Sequence, residues 1–355
     1  MSLPDLALPF VKMLSPEAAH RATIRGLKLG IGLPRTDPAT WNTPIKLPRS
    51  GLQFHNPVGL AAGFDKNAEV HSQMARFGFG LIECGTVTPQ PQSGNPKPRL
   101  FRLSADQAVI NRLGFNNHGL RSFTRGLRRH PPAITCPVGA NVGANKTSDD
   151  FIADYETGIA AVYGVADYIT MNISSPNTPG LRSLQDKDAL QELLKRCGDT
   201  NQRAGGDKPV FLKVAPDLND KAIAEIIDTV RGPGHWLSGL IISNTTLARP
   251  DSLQSPNKIQ SGGLSGAPLM EPSTQVLKAF ASELIGEFDL IGCGGISSGA
   301  DAYAKIRAGA HAVQLCSALI YHGPGLVAQI NADLAACLKA DGFSCVADAV
   351  GADLN

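Results

Sequence analysis

Short apolar runs recur along most of the chain, and each stops at polar or glycine-rich residues. They cover residues 58–62, 81–84, 138–142, 168–173, 210–214, 239–243, 290–293 and 312–315. Runs this short and this continuously apolar are the texture of strands buried on both faces. Helical stretches fall between most of them, over 67–77, 151–162, 187–203, 221–230, 271–285 and 300–308. Eight such alternations predict an α/β protein, a (β/α)8 TIM barrel with its helices outside. The competing architecture is a doubly wound sheet, but no G-x-G-x-x-G turn follows the first strand.

The first forty residues have a different texture. Residues 6–14 are mostly apolar, and Ser15-Pro16-Glu17 reads as a helix start with a cap, a proline at the first position and an early acid. Ala19, Ala22, Gly26, Leu27 and Ile31 follow at roughly helical spacing, with His20, Arg21, Arg25 and Lys28 between them. Such a helical pair either packs on the main domain or lies in a lipid interface with its basic residues near anionic head groups. Residues 33–44 read as a linker, so 1–40 are expected to form an N-terminal helical extension and 41–355 the barrel domain. Residues 45–47 and 52–54, around Pro48-Arg49-Ser50-Gly51, predict a small hairpin.

Composition narrows the class. A chain of 355 residues with 43% hydrophobic content can bury one large core. A net charge of +2 without a long Lys/Arg run argues against nucleic acid as a partner. Seven scattered cysteines with no CxxC pair fit a reducing compartment rather than a disulfide framework. No apolar run approaches the ~20 residues of a spanning helix, and the N-terminus lacks the features of a signal peptide. The expectation is a cytoplasmic protein.

In barrels the chemistry sits where strands end. Those ends are residues 61–66 (Ala-Ala-Gly-Phe-Asp-Lys), Gly85 and Thr86, Asn141, Asn172 with Ser174, Ser175 and Asn177, Lys213, residues 243–246 (Ser-Asn-Thr-Thr), Gly294 and Gly295, and Cys316 with Ser317. Almost all are hydrogen-bonding groups or glycines, which a helix-packed surface would not need. The densest stretch is 171–180, Met-Asn-Ile-Ser-Ser-Pro-Asn-Thr-Pro-Gly; alone it is equally an ordinary Asx/Ser turn. Residues 292–299 open a helix after the seventh strand and Ser317 follows the eighth, positions where barrels cradle phosphate on backbone N–H groups. Residues 262–266 could bring another backbone close. Lys66 and Lys213 can pair with a carboxylate or stabilise an anion, and Asn111, Asn172, Asn177 and Asn244 suit a flat ring with imide and amide edges. No H-E-x-x-H motif or paired Cys/His at ligand spacing points to a metal.

Five motifs in order, at 61–66, 111–116 (Asn-Arg-Leu-Gly-Phe-Asn), 172–177, 243–246 and 262–266, closely resemble those of dihydroorotate dehydrogenases. The resemblance runs from the N-terminal extension to about residue 324. It implies a barrel holding FMN and oxidation of (S)-dihydroorotate to orotate in pyrimidine (UMP) biosynthesis. Class 1 enzymes of this family carry a cysteine base where this chain has Ser175; serine there, and an extension containing His20 and Arg21, resemble the quinone-linked class 2. By the same resemblance Ser175 is the base. Lys66, Asn111, Arg112, Leu113, Gly114, Phe115, Asn172, Asn177, Asn244 and Thr245 hold the substrate. Ala61, Ala62, Gly63, Phe64, Asp65, Thr86, Asn141, Asn172, Lys213, Ser243, Gly266, Gly295, Cys316 and Ser317 hold FMN, with Lys213 near its N1/O2 edge. A water-mediated proton relay through Thr178 is expected beside Ser175. His20 and Arg102 match positions facing ubiquinone or menaquinone, and the implied setting is peripheral, on the cytoplasmic face of the cell membrane, with a monomer favoured. Where the family usually has tyrosine, this chain has Cys316, which leaves any aromatic contact to the quinone in question. Three other readings stay open at this stage: an FMN barrel using NAD or fumarate, a non-redox barrel binding a sugar phosphate, and a ligand-binding pseudoenzyme.

Overall fold

The computed structural model describes residues 13–33, 43–129 and 136–354. Their strands are β1 (Ile45–Lys46), β2 (Gln53–Phe54), β3 (Val58–Leu60), β4 (Leu81–Val87), β5 (Leu100–Leu103), β6 (Ala108–Asn111), β7 (Val138–Val142), β8 (Tyr168–Asn172), β9 (Val210–Val214), β10 (Gly239–Ile242), β11 (Gly263–Gly266), β12 (Asp289–Cys293) and β13 (Ala312–Leu315). Each of the eight predicted runs pairs in parallel with two others, in the order β10-β12-β13-β3-β4-β7-β8-β9, and the sheet closes on itself. Closure leaves these strands no free edge, and nearly all their residues are buried. Register then brings distant polar residues side by side: Gly85 beside Asn141, Asn141 beside Thr170, and Asn172 beside Lys213.

Five predicted helices form within a residue or so of expectation, at Phe151–Val162, Lys187–Ala204, Asp220–Arg231, Met270–Leu284 and Gly299–Arg307. Asp150, Asn219 and Ser298 cap three of them by accepting backbone N–H bonds, each worth about 1 kcal/mol. The helix expected over 67–77 shrinks to His71–Ala75. Asp65 is the cause: its two carboxylate oxygens accept the N–H groups of Glu69 at 2.8 Å and Val70 at 2.7 Å, while Ala68 turns left-handed at φ 55°.

The predicted hairpin β1–β2 plugs the amino end of the barrel. Asp289 at the start of β12 accepts N–H bonds from Arg49 and Ser50, and the Arg49 guanidinium donates to the carbonyls of Leu237, His235 and Glu287. At the carboxyl end, β5 and β6 from the β4–β7 connection and β11 from the β10–β12 connection form a small antiparallel sheet over Leu103, Ala108, Ile110, Leu253 and Leu264. Pattern reading missed that sheet, as it missed the helices at Gly119–Leu127 and Leu326–Ala340.

The N-terminal helix forms over Pro16–Lys28 and buries Ala19, Ile24 and Leu27, although Ser15 makes no side-chain cap bond. Arg99 forks onto Glu17, at 2.9 Å through Nη2 and 3.2 Å through Nε, and Arg102 donates to the Leu14 carbonyl at 2.8 Å. These bonds tie the helix to the small sheet. Most of the predicted first helix and the linker lie outside the described residues. Among the described residues no helix is long and apolar enough to cross a membrane.

Candidate active site

The carboxyl ends of the strands, the small sheet and the N-terminal helix enclose a cavity of about 890 Å³. Of the residues assigned above to base, substrate, FMN or quinone, all but Asn141 and Arg112 line it, whereas the strand-end residues Gly85, Ser174 and Thr246 and the relay residue Thr178 do not. Asn141 lies just beneath, joined to the wall through Thr86, whose hydroxyl donates to Asn141 Oδ1 at 2.6 Å. Arg112 turns away: its guanidinium stacks 4.6 Å from the centroid of the Phe101 ring and donates to Gln260 and to the Ser261 carbonyl. Its backbone is engaged elsewhere too, the N–H by the Arg99 carbonyl at 2.9 Å and the carbonyl by Asn95 Nδ2 at 3.1 Å, so of the 111–115 loop Asn111, Leu113, Gly114 and Phe115 line the cavity. Phe115 there adopts a left-handed φ of 50°, uncommon for an aromatic residue, and its carbonyl accepts bonds from Gln92 and Asn117 that hold it.

Both predicted lysines point into the cavity, and neither makes an ion pair with a carboxylate among the described residues. Burial, helped by the Arg99 charge, brings the Lys66 ammonium down to about 8. An uncompensated cation in such a place is costly unless an anion joins it. Lys213, at 4% exposure, sits deeper, at the end of β9 beside Asn172.

The amides converge as the spacing suggested. Asn177 donates to Asn111 at 3.2 Å, and Asn244 donates to Asn172 Oδ1 at 3.1 Å and to Ser174 Oγ at 3.0 Å. Ser175 is buried, and its Oγ accepts the Asn177 N–H at 3.3 Å. Thr178 Oγ1, three residues on, is buried with no protein partner. Two positioning groups carry no motif: Tyr155 donates to the Asn172 carbonyl at 2.6 Å, and Arg182 bonds the carbonyls of Ser174 (3.0 Å) and Thr245 (2.9 Å) while pairing with Asp217 at 2.8 Å. Arg182 thus locks the loops after β8 and β10 together.

The glycine-rich wall is shaped by close approach. Gly295 has φ 80°, and a Cβ there would lie 2.3 Å from the backbone of Met270, so this turn presses on the start of helix Met270–Leu284. Behind it Lys305, fully buried, donates to Ser273 Oγ at 2.6 Å and Thr274 Oγ1 at 2.9 Å, and burial brings its ammonium down to about 7. Across the cavity Ser265 and Ser317 share a hydrogen bond of 2.8 Å. Gly63, at φ 111°, has no heavy atom within 4 Å of where a Cβ would stand. Free space therefore lies against the 61–64 backbone. Burial pushes the Cys316 thiol up to about 11, which keeps it a neutral wall group.

His20 and Arg102 meet the cavity at its helical side. His20 packs edge-on against Phe64 at 5.5 Å, and burial with the nearby Lys66 charge lowers its imidazole to about 4, so it is neutral near pH 7. That side mixes Ala19, Ala22, Ile24 and Leu27 with Glu17, Arg21, Thr23, Arg25 and Lys28. Spacing alone also missed a cluster of Asp65, His71 and Cys84, whose side-chain ligand atoms lie within 4.8 Å of one another. Both Asp65 oxygens there are already engaged by the Glu69 and Val70 N–H groups.

The site can be set beside known proteins. The family model described as dihydroorotate dehydrogenase matches residues 46–338. The chain belongs to the dihydroorotate dehydrogenase family. Among curated relatives, a dihydroorotate dehydrogenase (quinone) of Parvibaculum lavamentivorans is 52% identical, with both chains covered in full. One of Xanthobacter autotrophicus with the same description is 50% identical, again over the full length of both. The solved structure of a ligand-free dihydroorotate dehydrogenase from Eimeria tenella superposes with a TM-score of 0.89 at 39% identity, covering 96% of this chain and 100% of that one. Since dihydroorotate dehydrogenases work with a flavin, the free space along residues 61–64 and the glycine-lined wall are the parts of this cavity that such a group would fit.

Proposed function

We propose that the protein is a class 2 enzyme: it oxidises (S)-dihydroorotate to orotate, holds FMN in the cavity and passes the electrons to a membrane quinone. The observation that carries this reading is the convergence of Ser175, four amides and two lysines without a carboxylate partner on one cavity. Dihydroorotate has the complementary groups, a carboxylate and a ring edged with N–H and C=O.

Lys66 receives the substrate carboxylate, which supplies the anion that its buried ammonium lacks. Asn111, Asn172, Asn177, Asn244 and Thr245, with the backbone of 111–115, hold the ring and fix which face meets Ser175. FMN, when bound, supplies the acceptor for the hydride leaving C6. Ser175 Oγ takes the proton from C5. A serine hydroxyl is a weak base, so its own proton must move on as it acts. Thr178 Oγ1, buried and without a protein partner, is placed to take part in a water relay that carries that proton away. Lys213 supplies positive charge where charge develops. The residues that would hold FMN are those of the 61–65 backbone, Thr86, Ser243, Gly266, Gly295, Cys316 and Ser317, with Asn141 acting from behind Thr86. The side beneath helix Pro16–Lys28, where Ala19, Ala22, Ile24 and Leu27 meet the cavity with His20 and Arg102, is the quinone channel.

Residues 1–40 form the membrane-docking extension and 41–355 the catalytic barrel, at the cytoplasmic face of the membrane. Arg25 and Lys28, the latter paired with Glu69, stand in the last helical turn beside Leu29 and Ile31, which are 78% and 65% exposed, a pairing suited to an anionic lipid surface. We take the working unit to be a monomer.

Anaerobic mixing of the flavin-loaded protein with dihydroorotate tests the reading directly. Rapid bleaching of the flavin band, then recolouring by a ubiquinone analogue but not by fumarate or NAD, is the expected outcome. Bleaching without recovery by quinone overturns the acceptor, and no bleaching overturns the substrate.

A further inference from the structure

Below the cavity a carboxylate lies at the centre of the barrel. Glu83, on β4, is wholly buried, and the donors around it come from three other strands. Asn141 of β7 donates its Nδ2 to Oε1 at 2.7 Å, while Thr170 of β8 and Gln314 of β13 donate to Oε2 at 3.0 and 2.9 Å. Three donors converge on two oxygens, so Glu83 acts only as an acceptor.

That constraint propagates upward. Asn141, having turned its N–H to Glu83, must turn its Oδ1 to Thr86, and it accepts the Thr86 hydroxyl proton at 2.6 Å. Thr86 has no second proton, so it accepts Asn172 Nδ2 at 2.9 Å. Asn172 Oδ1 is then left to accept Asn244 Nδ2 at 3.1 Å and the Ser174 hydroxyl at 3.1 Å. The Thr245 N–H closes the series on Asn244 Oδ1 at 2.8 Å. Every link donates towards Glu83. An amide is nearly symmetric in shape, so packing alone does not fix its direction; the Thr245 N–H on Asn244 Oδ1 and the Ser174 N–H on Asn172 Oδ1, at 3.4 Å, favour from above the same direction that Glu83 imposes from below.

We propose that Glu83 is a positioning residue that sets the direction of this hydrogen-bond chain, and thereby which donor and acceptor atoms Asn172 and Asn244 offer to the substrate ring. The proposal rests on the reading that these amides hold the pyrimidine.

Orotate titrated into the oxidised, flavin-loaded protein, followed by the flavin absorbance, tests it. Glu83→Met keeps nearly the same volume but removes the acceptor. It should retain flavin yet weaken orotate by roughly 10- to 100-fold, the loss of one or two oriented hydrogen bonds. Preference for orotate over an orotate methylated on a ring nitrogen should shrink as well, since an amide free to turn no longer discriminates. The double variant E83Q/N141D moves the carboxylate one link up the chain: the glutamine amide at position 83 donates to the carboxylate at position 141, which still accepts from Thr86. It should recover most of the lost affinity, and it serves as the deciding variant if Glu83→Met does not fold. Wild-type affinity in Glu83→Met, or a double variant that folds, keeps its flavin and binds orotate 10-fold or more weakly, overturns the proposal. Failure of the wild-type protein itself to bind orotate removes the pyrimidine reading, and this proposal with it.

Discussion

Replacing Lys66 by methionine should remove both affinity and a pH dependence, and the structure sets the size of each. In the free site burial holds the ammonium at about 8. A bound carboxylate would restore it towards or beyond the ordinary lysine value of roughly 10.4. Binding therefore takes up a proton whenever the pH exceeds the free-site value. The sign follows: affinity is fully present below about pH 8 and is lost as the pH rises, close to tenfold per unit until the bound-state value is reached. Between pH 7 and 9 the wild-type dissociation constant for orotate should rise roughly tenfold. Lys66→Met should bind about 10- to 100-fold more weakly at pH 7, the equivalent of one charge-assisted hydrogen bond of about 1.5–3 kcal/mol. Its profile should be flatter than that of the wild type by the same tenfold. The assay is orotate titration of the oxidised, flavin-loaded protein at constant ionic strength from about pH 6.5 to 9.5. Any titration of orotate itself appears in both proteins and cancels in the comparison. Parallel profiles would refute the assignment of Lys66 to the carboxylate.

Ser175→Ala should slow bleaching of the flavin by dihydroorotate by about 10²- to 10⁴-fold while orotate still binds, and stopped-flow absorbance separates the two. Thr178→Ala should also slow bleaching much more than it weakens orotate; an unchanged rate removes it from the relay. Gly295→Ala puts a Cβ 2.3 Å from the Met270 backbone at a left-handed φ of 80°, so it should lose flavin during purification and cost roughly 1–3 kcal/mol in thermal unfolding. Replacing exposed Leu29 and Ile31 by glutamate should abolish co-flotation with anionic vesicles and leave the dihydroorotate half-reaction unchanged.

Local pattern was enough for the barrel because each barrel strand is buried on both faces and announces itself as a short apolar run. The strand ends were legible for the same reason, since polar residues at the tip of an apolar run have few other uses. The small sheet was not. Its β6 pairs with β11, whose Gly263 lies opposite Asn111, and a partner some 150 residues away leaves no mark on the local pattern. The helix expected over 67–77 failed through side-chain chemistry: Asp65 spends its carboxylate on the very N–H groups that the first helical turn would contain. Glu83 and Arg182 carry no motif, because what each does depends on partners from three or more segments that only the closed barrel brings together. Arg112 shows the opposite error, since a residue inside a matching motif can hold the loop in place through Gln260 and Ser261 without lining the cavity itself.

The cavity has walls of two different origins. Its floor and most of its sides are the ends of the barrel strands and the small antiparallel sheet, fixed by sheet hydrogen bonding; its remaining side is a single appended helix, fastened by the Arg99–Glu17 fork and the Arg102 bond to Leu14. On the proposed function, substrate chemistry is written on the first surface and access from outside on the second. Such a division lets the two evolve on separate clocks: substitutions in the helix can retune which oxidant reaches the chamber without disturbing a single residue that grips the pyrimidine. Removing or exchanging that one segment is then a route by which an ancestral barrel could acquire a new electron acceptor.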